Sequence, residues 1–292
     1  MREFDYVRAD TVDRAVTLLS QEGARPLAGG TDLIPQMREG RRTAATIVDL
    51  KHIPELVAIT DLPDGGLSIG AAAKASVLAR DPRVLKNYPA GASSSCLIGS
   101  LQVQNRASLG GNICNAAPSA DGVPALLAHG AKALIAGPNG RREIPLEALF
   151  QGPGRTSLAV GEILVAILLP PNPPRSAAHY LRFTPRREMD IAVVGAGTWI
   201  HLDADDRIVA ARIFLASVGP TPIRATTAEA ALVGAITNSE TLREAGRCAA
   251  QDAKPISDTR GSMDYRRTLS SVLTMRALGA CCRALGTEVE TP

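Results

Sequence analysis

Two stretches of this 292-residue sequence decide its fold, Leu27-Ala-Gly-Gly-Thr-Asp-Leu-Ile34 and Ser108-Leu-Gly-Gly-Asn112. Each contains a Gly-Gly pair, and glycine permits positive φ angles and close backbone approach, so that successive amide N–H groups can turn toward one point. The hydroxyls of Thr31 and Ser108 and the amide of Asn112 add neutral donors. Two such loops can clamp a pyrophosphate, although on residue types alone two ordinary turns remain an equal alternative.

Other motifs of nucleotide binding and nucleophilic catalysis are missing from the sequence. Neither G-x-x-x-x-G-K-[ST] nor G-x-G-x-x-G is present, and Gly195-Ala-Gly197 lies in a β-like run, where close packing is the simpler interpretation. No G-x-S-x-G elbow occurs, and Ser93-Ser-Ser95 has no nearby histidine to activate it. An ordinary hydrolase and a Rossmann dehydrogenase are therefore disfavoured.

The composition excludes several classes of protein. Hydrophobic residues make up 45% and charged residues 21% of the chain, which is typical of a globular protein. The formal charge is 32 − 29 = +3, and aromatic residues are only 3%, so neither a basic stripe nor a base-stacking platform is indicated. We expect no nucleic-acid partner.

The cysteines and the chain's apolar runs bear on its location and metal content. The five cysteines are an odd number without a C-x-x-C spacing, which disfavours a disulfide framework, a zinc site and an iron–sulfur cluster. They are predicted to be small buried hydrophobes: Cys96, Cys114, Cys248, Cys281 and Cys282. No apolar stretch approaches 18 residues and the N-terminus lacks a signal-like run, so we expect no membrane span and a cytoplasmic location.

The length suits two domains, and Pro170-Pro-Asn-Pro-Pro174 marks the clearest boundary between them. Local patterns predict an α+β chain divided into residues 1–174 and 175–292. The predicted helices span Val12–Leu19 (capped by Asp10 or Thr11), Ala75–Tyr88 (interrupted by Pro82), Val123–His129, Thr227–Val233, Ser239–Gln251 and Ser262–Leu285. The predicted strands are Arg25–Ala28, Ile47–Leu50, Leu67–Gly70, a hairpin of Ala131–Ala136 with Arg141–Ile144, and an antiparallel pair of Ile191–Ile200 with Arg207–Ala216.

The motifs AGGTDL at 28–33, SLGGN at 108–112 and Asn115–Asp121 resemble those of the FAD-binding subunit of molybdenum hydroxylases, the xanthine dehydrogenase and carbon monoxide dehydrogenase type enzymes. The resemblance covers essentially the whole chain, because later landmarks match at Gly161–Pro170, Arg186–Ala192 and Ser257–Arg267. It implies a FAD-binding domain of the vanillyl-alcohol-oxidase (PCMH) type, followed by a smaller α+β C-terminal domain of the CO dehydrogenase flavoprotein type, with an antiparallel sheet and helices.

The resemblance further implies a FAD site spread over both domains, with no catalytic residue and no metal ligand. The two glycine loops would hold the pyrophosphate by backbone amides, and Asp121 would accept a hydrogen bond from a hydroxyl of FAD. Leu164 matches an apolar contact, and Ile191 lies on the loop that approaches the isoalloxazine ring. The implied contacts are Leu27, Ala28, Gly29, Gly30, Thr31, Asp32, Leu33, Ile34, Gly99, Ser108, Leu109, Gly110, Gly111, Asn112, Asp121, Leu164, Arg182 and Ile191.

Arg182 departs from the family pattern, because relatives usually carry lysine there. A positive charge near the flavin N1/O2 edge favours the anionic reduced ring, although the planar guanidinium need not occupy the position of a lysine. A solvated surface residue is the alternative. Asp190 is a flavin-loop contact or an ordinary loop carboxylate, and Arg106 steers the phosphates or lies on the surface.

In relatives, the substrate is hydroxylated at a molybdenum cofactor in a large subunit. Electrons then cross two [2Fe–2S] clusters in a small subunit to FAD, which passes them to NAD⁺, oxygen, a quinone or another carrier. The resemblance therefore implies two separate partner chains and a dimer of heterotrimers. A free-standing FAD oxidoreductase acting directly on a small substrate and a cofactor-free assembly subunit are the alternatives.

Overall fold

A computed structural model of the chain describes residues 2–287 and residue 289, and the ends of the predicted domains at 1 and 292 lie outside these residues. Helices and strands are mixed along the chain, as expected. The strands are β1 Asp5–Arg8, β2 Ala24–Leu27, β3 Thr46–Asp49, β4 Ile59–Asp61, β5 Leu67–Gly70, β6 Lys132–Gly137, β7 Gly140–Pro145, β8 Phe150–Gly152, β9 Arg155–Thr156, β10 Ile163–Leu169, β11 Ser176–Phe183, β12 Val194–Leu202, β13 Ile208–Ala216 and β14 Ile223–Arg224. The helices are α1 Val12–Leu19, α2 Leu33–Arg38, α3 Pro54–Val57, α4 Ala75–Leu78, α5 Pro82–Asn87, α6 Pro89–Ser95, α7 Leu101–Gln104, α8 Leu109–Asn115, α9 Gly122–Ala128, α10 Thr226–Leu232, α11 Ser239–Asp252 and α12 Met263–Ala284.

The N-terminal segment forms a three-stranded parallel sheet in the order β1-β3-β2. Helix α1 starts where Thr11 accepts a hydrogen bond from the Arg14 amide at 3.2 Å, so Thr11 rather than Asp10 is its cap. Its apolar stripe is buried, in a core shared with the sheet. Strand β2 ends at Leu27 and leads directly into the first glycine stretch.

A five-stranded antiparallel sheet follows in the order β4-β5-β10-β6-β7. Its central strand β10 has the sequence ILVAILL and is buried along nearly its whole length, which is typical of a strand covered on both faces. The hairpin of β6 and β7 confirms the prediction for residues 131–144. This sheet carries the second glycine stretch on α8, which packs against β10.

The C-terminal part contains a four-stranded antiparallel sheet in the order β11-β12-β13-β14. The predicted pairing of its two longest strands is confirmed, and α12 and α9 both pack against β12. A Cβ added at Gly197 would lie 2.5 Å from the Pro124 backbone, so close packing explains the Gly195-Ala-Gly197 run. No helix in the described part of the chain is long and apolar enough to cross a membrane.

The proline-rich segment Pro170–Pro174 is fastened to elements before and after it. Tyr88 donates its hydroxyl hydrogen to the Pro170 carbonyl at 2.8 Å. The Asn172 Oδ1 atom accepts from Trp199 Nε1 at 3.3 Å and lies 3.3 Å from His129 Nδ1. This segment is therefore extended but held in place by side chains on both sides.

The predicted interruption of one helix at Pro82 is confirmed, and one predicted strand is wrong at its boundary. The helix predicted over Ala75–Tyr88 is split into α4 and α5, because Asp81 is extended before Pro82 and its carboxylate accepts from the amides of Arg83 and Val84. The strand predicted from Ile191 begins only at Val194, since residues 184–193 form a loop. Cys96, the C-cap residue of α6, is exposed rather than buried, and Cys114 is half-buried.

His129 makes the stability of the chain sensitive to acid. Its side chain is buried, its Nε2 atom has no partner among the described residues, and burial lowers its pKa to about 4. Between the ordinary histidine pKa and this value the unfolded chain binds a proton that the folded chain does not. The free energy of unfolding should therefore fall as pH decreases through this window, by about 3 kcal/mol between pH 7 and pH 4.

This pH dependence is measured by urea unfolding with the single tryptophan, Trp199, as the fluorescent probe. The variant His129→Leu removes the titrating group and should flatten the dependence by that amount. Equal slopes for the two proteins would contradict the assignment.

Candidate functional site

A cleft of about 730 Å³ lies between the segment that leads from β2 into α2 and the opposing α8 and β10. Its volume falls within the range of small-molecule and cofactor sites. The wall contains most of both predicted glycine stretches together with Gly154, Thr156 and residues 158–164, and Ala71 and Ala72 form part of the lining. Both glycine stretches therefore face one cavity, as the pyrophosphate hypothesis requires.

The first wall of the cleft depends on two glycines. A Cβ added at Gly29 would lie 2.1 Å from the Arg106 carbonyl oxygen, so only glycine allows this backbone contact. Gly30 has a φ of +75°, in the left-handed region. The loop after β2 is therefore pressed against residues 106–107, which precede the second glycine stretch.

The second wall is the start of a helix rather than the predicted loop. Ser108 is the N-cap of α8, and its hydroxyl oxygen accepts from the Gly111 amide at 3.1 Å. The Gly110 amide donates to the Ala71 carbonyl at 3.1 Å, and the Asn112 amide donates to Ser108 at 3.0 Å. These three amides donate to acceptors within the protein, so they do not form the anion-binding nest that the sequence predicts.

The two glycines of this second wall have different roles, and one of its side-chain atoms is unpartnered. A Cβ at Gly110 would lie 2.4 Å from the Ala71 carbonyl oxygen, whereas one at Gly111 would meet only Ser108 Oγ at 3.0 Å. Gly110 thus permits close packing, and Gly111 leaves room within the cleft. The Asn112 Oδ1 atom is buried and has no partner among the described residues.

Twelve of the predicted contact residues line the cleft: Leu27, Ala28, Gly29, Gly30, Thr31, Asp32, Leu33, Ser108, Gly110, Gly111, Asn112 and Leu164. Six do not: Ile34, Gly99, Leu109, Asp121, Arg182 and Ile191. Ile34 and Leu109 adjoin lining residues, and Leu109 is buried in the core. The other four lie toward the C-terminal sheet.

Gly99 contacts the loop that carries Ile191. Ile98 lines the cleft, and the carbonyl of Gly99 accepts from the Met189 amide at 3.4 Å. This contact places the loop 184–193 next to the cleft. Within that loop, the Asp190 carboxylate accepts from the amides of Arg186 and Ile191, which supports the interpretation as a loop carboxylate.

Arg182 is buried and paired, so its interpretation as a solvated surface residue is wrong. Its side chain is 6% exposed, and its Nη1 atom donates to Asp121, whose side chain is 10% exposed. Tyr180 donates to the other Asp121 oxygen at 2.8 Å. Burial raises the pKa of Asp121 while Arg182 and Tyr180 oppose that rise, and burial together with Asp121 raises the pKa of Tyr180 well above its usual value.

This pair changes the roles predicted for both residues. Each Asp121 oxygen already accepts a protein hydrogen bond, which leaves less capacity for a hydroxyl of FAD. The positive charge of Arg182 is compensated by its partner. Gly122, which follows Asp121, lies against Asn112 and Ile98, so the pair is one residue removed from the cleft wall.

The loop 184–193 is anchored by a residue whose role the sequence did not reveal. Arg266 is buried near the start of α12 and donates to the carbonyls of Val193 at 2.7 Å and Ser217 at 2.9 Å. It also donates to Asp258 at 2.7 Å. Arg266 and Asp258 both belong to the segment Ser257–Arg267 that matches the family. This segment therefore holds the end of the loop 184–193 in place.

Sequence reasoning also missed polar residues in the cleft itself. Gln36, Arg42 and Asn115 line it and are joined by hydrogen bonds. Arg106 does not line it and is exposed, which supports its surface interpretation. Cys114 lines the cleft, and burial raises its pKa to about 12, so it presents a neutral thiol. Within the described residues, no group of three or more His, Cys, Asp or Glu side chains is arranged to hold a metal ion.

The residues of the cleft fit a dinucleotide cofactor. Apolar side chains such as Leu27 and Leu164 line it alongside the hydroxyls of Thr31 and Ser108. The unpartnered Asn112 side chain supplies a polar group that a ligand would satisfy.

Comparison with known proteins decides the family. Residues 2–172 match the model of the FAD binding domain in molybdopterin dehydrogenase, and residues 179–281 match that of the CO dehydrogenase flavoprotein C-terminal domain. The chain belongs to this flavoprotein family. The expected α+β fold, the FAD cofactor and the classification as an oxidoreductase subunit are thereby confirmed.

Individual relatives match over nearly the whole chain of this flavoprotein subunit. The xanthine dehydrogenase FAD-binding subunit of Escherichia coli O157:H7 is 34% identical over 98% of both chains. The carbon monoxide dehydrogenase medium chain of Hydrogenophaga pseudoflava is 31% identical over 95% of this chain and 96% of its own. Solved structures of carbon monoxide dehydrogenase from Hydrogenophaga pseudoflava and quinoline 2-oxidoreductase from Pseudomonas putida 86 give TM-scores of 0.92 and 0.90, at 31% and 28% identity, each covering 97% of this chain and 98% of the matched chain.

Gly111 provides a direct test of the cleft. In Gly111→Leu the side chain enters the cleft from a helical position, so the folded chain should lose FAD, measured as flavin absorbance per protein after gel filtration. Gly111→Ala disturbs the Ser108 cap equally but adds only a methyl group, so it should keep FAD. Stoichiometric FAD in a folded Gly111→Leu variant would remove this wall from the site.

Proposed function

We propose that this chain is the electron-transfer subunit of a heterotrimeric molybdenum hydroxylase, which accepts electrons from [2Fe–2S] clusters of a small partner and passes them to an external acceptor. Membership of the medium FAD subunits of such enzymes supports the proposal. The observation that carries it is the cleft, in which both glycine motifs meet in a cavity of about 730 Å³.

The cleft residues would bind FAD as follows. The loop Ala28–Thr31 would approach the pyrophosphate with its backbone, because Gly29 and Gly30 leave no side chain in the way. Ser108 and Asn112 would add a hydroxyl and an amide, and Leu164 an apolar surface. When bound, FAD supplies a redox centre that exchanges electrons in steps of one or two.

Among the described residues, the lining of the cleft contains carboxylates but no histidine. The Glu162 carboxylate is occupied, because it accepts from Arg142 Nε and Nη2, each at 2.8 Å. A free-standing oxidoreductase would require a base beside the ring. Asp32 and Glu22 also line the cleft, and burial raises the pKa of Asp32, so the choice of electron transfer rests on family membership rather than on the lining.

We further propose a large molybdenum-cofactor subunit and a small [2Fe–2S] subunit as partners, assembled as a dimer of heterotrimers in the cytoplasm. The relatives named medium chains support a division of labour among several chains. The loop 184–193 exposes Met189 and Ile191 beside the cleft, which suits a surface at which electrons enter or leave.

The composition of the native complex tests the proposed function. Purified from its source, the chain should co-elute with iron, molybdenum and FAD, and its flavin should be reduced anaerobically by the substrate of the large subunit. A yellow chain that oxidises a small alcohol or amine by itself would support the free-standing oxidoreductase instead. A folded, colourless chain would support the assembly subunit.

Arg182 should influence the flavin through its ion pair with Asp121. In Arg182→Ala the buried Asp121 loses its cation, so we expect the flavin reduction potential to fall by tens of millivolts. The double variant Arg182→Ala/Asp121→Asn removes both charges and should return much of the shift. Spectroelectrochemical titration measures this, and an unchanged potential in Arg182→Ala would exclude the electrostatic role.

A further inference from the structure

The C-terminal cap of α2 turns the chain so that Arg42 lies against the end of this helix. Gly40 has a φ of +74°, and its amide donates to the Met37 carbonyl at 3.2 Å. The Arg41 amide donates to the Gln36 carbonyl at 2.9 Å, which completes a Schellman motif. The Arg42 amide also donates to Gln36, at 3.2 Å, so the chain beyond the helix is held against the residue that faces the cleft.

The side chains of Arg42, Gln36 and Asn115 form a relay of fixed direction. Arg42 Nε donates to Gln36 Oε1 at 2.8 Å, and Gln36 Nε2 donates to Asn115 Oδ1 at 3.2 Å. Because a guanidinium only donates, the orientation of both amides follows from it. The relay therefore leaves donors at its two ends, the Nη atoms of Arg42 and the amide nitrogen of Asn115.

The relay connects opposite walls of the cleft. Gln36 lies on α2, which follows the first glycine stretch, and Asn115 is the last residue of α8, which follows the second. All three residues line the cavity. A ligand bound between the glycine stretches would therefore lie next to the three relay residues, on the side of the cleft that α2 and α8 form.

Arg42 is a cation without an anion to neutralise it. In the described part of the chain, no carboxylate lies within 4 Å of its guanidinium, and its Nη atoms have no hydrogen-bond partner. The neighbouring Arg41 is different, because it is paired with Glu39 and its side chain is 63% exposed. An unpaired guanidinium facing a cleft is suited to phosphate oxygens, which its planar fork can contact in pairs.

We propose that Arg42, oriented by Gln36 and linked to Asn115, binds the diphosphate of FAD from across the cleft. This inference rests on the proposal that the glycine stretches hold FAD. Arg42 would supply a positive charge, which neither glycine stretch contains, since the donors of both stretches are amides and hydroxyls. Gln36 is the positioning residue, because it accepts a hydrogen bond from the Arg42 guanidinium and donates one to Asn115.

The test measures FAD binding to the full chain freed of flavin, by quenching of flavin fluorescence. Arg42→Gln should raise the dissociation constant for FAD about tenfold to a hundredfold, the weight of a charge-assisted hydrogen bond. It should weaken competition by ADP by a similar factor and reduce the dependence of FAD binding on salt, because a phosphate contact is lost. Arg41→Gln, with the same change of charge one residue earlier, should stay within twofold of the unmodified chain.

A second variant separates positioning from charge. Gln36→Met keeps the length of the side chain and the charge of Arg42 but removes the acceptor for Arg42 and the donor to Asn115, so it should also weaken FAD and ADP binding at unchanged thermal stability. Unaltered FAD binding in Arg42→Gln, or a loss for FAD but not for ADP, would overturn the inference. If Gly111→Leu also retained FAD, the proposal that FAD binds in this cleft would be wrong. If only Arg42→Gln retained tight FAD binding, the cleft would stand and the role of Arg42 alone would be wrong.

Discussion

Direct contact between two backbones, allowed by glycine, is the constraint on which the structure of the site depends. At Gly29 a side chain would run into the Arg106 carbonyl, and at Gly110 into the Ala71 carbonyl. Because these positions carry no Cβ, the loop after the parallel sheet can press against the segment that enters α8, and α8 can press against the antiparallel sheet. The cleft exists because both contacts are made at once. A larger residue at either site would separate its walls.

Charges around the cleft are arranged in two different ways. At the C-terminal side Arg182 is compensated by Asp121 within the protein, so the electric field around it is that of an ion pair. At the N-terminal side Arg42 has no carboxylate partner among the described residues. An anionic ligand would therefore find a positive charge near the end of α2. The Arg182–Asp121 pair adds no net charge at the C-terminal side. Arg266 fixes the backbone at the end of the loop 184–193, which follows the strand that carries Arg182.

Much of this could be predicted from the sequence, because the decisive signals are local. Period, caps and turn residues indicated α1, the β6–β7 hairpin and the long C-terminal helix, and the glycine motifs indicated the two walls. The Gly-Gly pair in Ser108–Asn112 indicates a loop, because glycine permits positive φ angles and close backbone approach. The structure makes it helical through the Ser108 cap and the bond to Ala71, and the latter is a tertiary contact. The relay from Arg42 and the burial of Arg182 were beyond prediction for the same reason, since each depends on residues far apart in sequence.

Amide hydrogen exchange of the full chain, with and without FAD, tests the central claim that the cofactor lies between the two glycine stretches. The account predicts slower exchange on FAD binding in peptides covering residues 27–34, 36–42 and 108–115. Peptides from α11, at Ser239–Asp252, should change little because this helix lies outside the cleft lining. Binding of FAD without protection of either glycine stretch would contradict the account.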